Sequence, residues 1–118
     1  MLRERRPERV IRSLRDLSEE LSRLEALAAE GAALAGSGRP AGELVPALAE
    51  VDRRIMALAS RQIAGFLFQP LIREILDNPE GAGDFEKALG TSRSLYRNMV
   101  VSASYHRKLL EKSLERWD

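Results

Sequence analysis

Apolar residues recur at alternating intervals of four and three along most of this 118-residue chain. In the first third they fall at Val10, Leu14, Leu17, Leu21, Leu24, Ala28 and Gly31, with Leu27 and Leu34 widening the stripe. A 4–3 alternation keeps one stripe of an α-helix facing a neighbour and is incompatible with the two-residue period of a strand. The same interval returns at Leu44, Leu48, Val51, Ile55 and Leu58. A third seam contains Leu95, Tyr96, Met99, Val100, Ala103, Leu109, Leu110, Leu114 and Trp117, with His106 on the same side between Ala103 and Leu110. No stretch alternates apolar and polar residues long enough to read as a strand.

The breaks between seams set the organisation. Three Gly and one Pro fall within Gly36-Ser37-Gly38-Arg39-Pro40-Ala41-Gly42, which ends one helix and reverses the chain. Asp77-Asn78-Pro79-Glu80-Gly81-Ala82-Gly83 does the same further on. The first helix is therefore expected from about Glu8 to Ala35, with Pro7 in its first turn and residues 1–7 as a flexible basic arm. The second begins near Glu43, with Pro46 in its first turn. Pro70 removes one helical hydrogen bond, so the helix is expected to kink near Phe66–Gln69, the alternative being two helices that meet there. Asp84 is placed to cap a short helix over residues 84–90, and Gly90-Thr91-Ser92 interrupts it before a last helix from Ser92 to Trp117. The prediction is a single all-α domain over 1–118, an antiparallel bundle of three long helices joined by short breaks.

Composition narrows the chemistry. There is no cysteine, which excludes disulfides, thiolate-held metals and thiol nucleophiles, and one His, which excludes a multi-histidine metal site within one chain. Aromatic residues make up 5% of the chain, so the core must be aliphatic. Formal net charge is +1, with no general attraction to nucleic acid or an anionic membrane. The N-terminus lacks the apolar run of a secretory signal, and the longest apolar stretch, Ile63–Leu76, is interrupted by Gln69, Pro70, Arg73 and Glu74. A cytoplasmic protein without a membrane segment is the expectation.

Five features bear on function. His106 has Ser102 one helical turn before it but no carboxylate to orient it, so it reads as structural. Gly36, Gly38 and Gly42 follow a helix rather than a strand, and no Lys-Ser or Lys-Thr pair follows them, so they read as a turn rather than a phosphate loop. No Glu-x-x-His motif is present, and no catalytic, cofactor or metal site is predicted. Residues 1–15 carry Arg3, Arg5, Arg6, Arg9, Arg12 and Arg15 against two Glu, a net of +4; residues 16–30 carry five acids and one Arg, a net of −4. The basic block offers a nucleic-acid reading, which the interleaved Glu4 and Glu8, the lack of an aromatic residue and the acidic block after it all disfavour. The last feature is apolar excess. Phe66, Leu67, Phe68, Leu71 and Ile75 cannot all share one seam, because successive helical positions turn by about 100°. Together with Met99 they form the predicted partner-binding set.

Two stretches carry a resemblance. Leu21-Ser22-Arg23-Leu24-Glu25-Ala26-Leu27-Ala28-Ala29-Glu30-Gly31 with Leu44–Leu58 resembles the first helical hairpin of the small export chaperones of bacterial flagella, which escort hook–filament junction and cap proteins. Arg107-Lys108-Leu109-Leu110-Glu111-Lys112-Ser113-Leu114 is similar to their C-terminal helix. Pro70 and the Gly81–Gly83 break depart from that pattern. Ser60–Leu67 with Leu95-Tyr96-Arg97-Asn98-Met99 also resembles the flagellar rod-binding domain, although Ile63-Ala64 stand where that family has a Phe-Glu pair. The first resemblance implies a non-enzymatic chaperone or adaptor that covers an amphipathic helix of a client protein. Its rivals are a self-assembling structural protein joined through the Val10–Leu24 seam, and a nucleic-acid-associated protein using Arg3–Arg15.

Overall fold

The computed structural model describes residues 2–58 and 82–117; at residues 2–7, 10, 82–84 and 117 only the backbone is described. The expected kink near Pro70 and the strip Phe66–Ile75 lie outside the described residues. Three helices account for nearly all of them: α1 Leu2–Ala35, α2 Ala41–Met56 and α3 Ala82–Trp117, with no strand among the described residues.

The predicted seams supply most of the buried faces, except that Leu109, placed on the third seam, is 45% exposed. On α1 the core takes Leu21, Leu24 and Ala28, and on α2 Leu44, Leu48, Val51 and Ile55. On α3 it takes Leu89, Tyr96, Met99 and Ala103. Burying each large aliphatic side chain contributes about 1.5–3 kcal/mol. α1 is the central element, packing on both α2 and α3.

The α1–α2 reversal follows from its residues. The Gly36 N–H donates to the Ala32 carbonyl at 3.1 Å, and the Ser37 hydroxyl donates to the Leu34 carbonyl at 2.7 Å, closing the end of α1. Gly38 then takes φ 73°, a left-handed conformation that a side chain strains. Pro40, extended at φ −65° and ψ 153°, precedes α2, and its carbonyl accepts from the N–H groups of Glu43 and Leu44 at 3.0 and 3.1 Å.

Four boundaries differ from the sequence reading, one of them the end of α2, which closes at Met56 with Ala57 as its C-cap instead of running on toward Pro70. α1 begins at Leu2 rather than Glu8, so its basic start is helical backbone, and Pro7 stands in the second turn. The strong helix formers Leu2, Arg3, Glu4, Arg5 and Arg6 favour this. α2 begins at Ala41 rather than Glu43, because Pro40 serves as its cap. No separate helix spans 84–90: α3 runs unbroken through Gly90-Thr91-Ser92. The Thr91 hydroxyl donates to the Lys87 carbonyl at 3.1 Å and the Ser94 hydroxyl to the Gly90 carbonyl at 3.2 Å. The polar side chains thus bond back into the helix instead of capping a new one.

Candidate functional site

The junction of the three helices is polar. Asp52 of α2 is fully buried and Tyr96 of α3 is 1% exposed. The Tyr96 hydroxyl donates a short hydrogen bond to Asp52 Oδ1. The α2 and α3 backbones do not approach within 8 Å at Cα, so long side chains bridge them. The ring of Tyr96 lies flat against α1 at Gly31: a Cβ built on Gly31 would sit 2.8 Å from Cδ1 and Cε1 of the ring. The sequence reading takes the Ala and Gly of the α1 seam as room for another helix to come close. The room at Gly31 is filled by the Tyr96 ring.

That contact sets an antiparallel register. Stepping back along α1 and forward along α3 puts Ala28 level with Met99, and Leu24 level with Ala103, so a small residue on one helix meets a large one on the other. Two contacts beyond the seam agree with it. The Arg93 guanidinium crosses Gly36, with Cζ 2.9 Å from where a Cβ would stand. Arg107 pairs with Glu25 at 3.0 Å, both side chains about one-third exposed or less.

Met99, predicted to bind a partner, is 1% exposed and belongs to the core, because it shares the stripe of Tyr96 and Ala103 rather than the outer face. His106 Nδ1 lies 2.7 Å from the Ser102 carbonyl oxygen, which can only accept, so Nδ1 carries the proton. The Ser102 hydroxyl is 3.5 Å from the same nitrogen. A nitrogen that donates to a carbonyl cannot take a proton from a serine, so the pair is no activated nucleophile. Among the described residues no group of three or more His, Asp or Glu side chains could hold a metal ion. No described helix is long and apolar enough to cross a membrane.

Acids interleave with the part of the basic block whose side chains are described. Arg9, Arg12 and Arg15 are exposed on α1. Arg12 and Arg15 line one open cavity with Glu8, Asp16 and Glu19, so acids outnumber bases there. Arg3, Arg5 and Arg6 lie on the helical backbone ahead of it. On α2, Arg53 and Arg54 both reach Glu50, at 2.6 and 3.2 Å. The hydrogen bond from Arg53 holds the Glu50 carboxyl below its usual value.

One surface is out of keeping with the rest. On α3, Val101, Tyr105 and Leu109 are 69%, 60% and 45% exposed. Spaced four apart, they form one row pointing away from the core stripe of Tyr96, Met99 and Ala103. The Tyr105 ring meets His106 edge-on at 5.5 Å. A second row, Lys108, Lys112 and Arg116, runs beside the first and is exposed. The sequence reading missed the outer row because it assigned the apolar residues of α3 to a single seam. Leu109 and Leu110 are adjacent and cannot share a face, and this was the available signal. Asp52 was missed too, although it lies four residues after Leu48 and three before Ile55, on the seam's own interval.

No family model, no curated protein and no solved structure matches this chain.

Proposed function

We propose that this chain is a non-enzymatic helical protein-binding module that works in the cytoplasm and presents the outer face of α3 to a helical segment of a client protein. The resemblance to flagellar export chaperones gives this reading its form, an adaptor or chaperone that covers an amphipathic helix. The observation that carries it is the exposed row Val101, Tyr105 and Leu109, on a helix whose opposite face is already buried in the core. Three apolar side chains one turn apart are the pattern on which a helix seats its own apolar stripe.

Photo-crosslinking in cells that make the protein tests the reading. A photoreactive residue at position 105 should give a discrete adduct with another protein, and one at the exposed Ala26 of α1 should not. The absence of an adduct at 105, or the same adducts at both positions, would remove the binding role. An adduct of twice the chain's own mass would assign the face to self-assembly.

A further inference from the structure

We infer that the segment docking on α3 is an acidic amphipathic helix, its apolar stripe on Val101, Tyr105 and Leu109 and its carboxylates against Lys108, Lys112 and Arg116. The inference rests on the binding role proposed above and specifies the partner's chemistry. Charge complementarity carries it. At about 100° per residue, the part of α3 between Ser94 and Arg116 that lies within about 60° of Tyr105 holds three cations and no acid. Glu111 and Glu115 fall outside that sector, and Glu111 lies 3.9 Å from Arg107 on the flank. On α2 the exposed Arg53 and Arg54 share Glu50, and the half-buried Arg107 of α3 holds Glu25. Lys108, Lys112 and Arg116 have no ion-pair partner among the described residues. Their positive charge is unbalanced beside an apolar row, which favours a ligand with negative charge next to its own apolar stripe.

The dimensions fit one helix. From Val101 to Leu109 the row rises about 12 Å, a little over two turns. The aliphatic stems of Lys108 and Lys112 extend the apolar strip sideways. The narrowness of the row speaks against a lipid surface, which engages a broad apolar face rich in Trp, Phe and Leu. Three cations within nine residues, with the single exposed aromatic Tyr105 beside them, also make a short track for a nucleic-acid backbone and its successive bases.

The test uses the full chain and four probes. The first is a fluorescent synthetic peptide of about 18 residues, long enough to form a helix, with leucine at alternating intervals of three and four and glutamate on one flank. The second is the same peptide with glutamine for every glutamate. The others are vesicles containing anionic phospholipid and a short DNA duplex. The acidic peptide should bind at least about tenfold more tightly than its glutamine counterpart, and the advantage should shrink as salt is raised. The variant carrying Lys108→Gln, Lys112→Gln and Arg116→Gln should melt as the unaltered protein does and lose that preference. Equal binding of both peptides would overturn the acidic partner. If Tyr105→Asp then abolished that binding, the apolar row would still stand as a docking face, so the two failures are separable. Binding of vesicles or DNA but not of the acidic peptide would overturn the inference and assign the face to that surface. Failure of the acidic peptide to bind would overturn it as well.

Discussion

At the scale of single residues, Tyr96 connects the most. Its ring is buried against Gly31 and its hydroxyl meets Asp52, so one side chain touches all three helices. Tyr96→Phe keeps the ring and deletes the donor, withdrawing a hydrogen bond from a buried carboxyl group. We expect a loss of about 1–3 kcal/mol of stability, read from denaturant unfolding with the slope unchanged. A loss under about 0.5 kcal/mol would show that the hydroxyl does not matter to the fold. The sequence placed Tyr96 on the seam but could not reveal this bond. Asp52 and Tyr96 lie 44 residues apart, and no local pattern links an acid on one helix to a phenol on another.

At the scale of elements, two glycines inside helices should respond in opposite ways. Gly90 lies within α3 with nothing within 4 Å of the place a Cβ would occupy. Gly90→Ala should therefore stabilise the protein by about 0.5–1 kcal/mol, the helix-propensity difference. Gly31→Ala gains the same propensity but drives a methyl to 2.8 Å from a ring that the Asp52 bond holds in place. Overpacking of that kind costs about 1–3 kcal/mol, so the net change should be destabilising. Thermal unfolding of the two variants checks both signs, and two changes of the same sign would refute the environments described. The seams of all three helices were legible from their intervals alone. The continuity of α3 was not, because Gly-Thr-Ser has the composition of a break. It remains helical because Thr91 and Ser94 spend their hydroxyls on carbonyls one turn back.

At the scale of the molecule, the three helices make a rod of 65 × 21 × 17 Å with a radius of gyration of 17.7 Å. A compact chain of this length would have a radius near ~13.5 Å. Small-angle X-ray scattering from dilute protein should therefore give a value close to 17.7 Å; one near the compact figure would rule out the rod. An antiparallel helical bundle was legible from long periodic segments and short breaks. The outward row of α3 was not, since periodicity identifies an apolar residue without saying whether anything covers it. The two tyrosines of the chain occupy opposite situations, one sealed into the helix junction and one standing in the proposed docking row. The protein thus carries its own pair of chemical reporters. A reagent that nitrates accessible phenols distinguishes them without any engineered label: modification of Tyr105 reads out whether the outer face is occupied, and modification of Tyr96 reads out whether the junction has come apart.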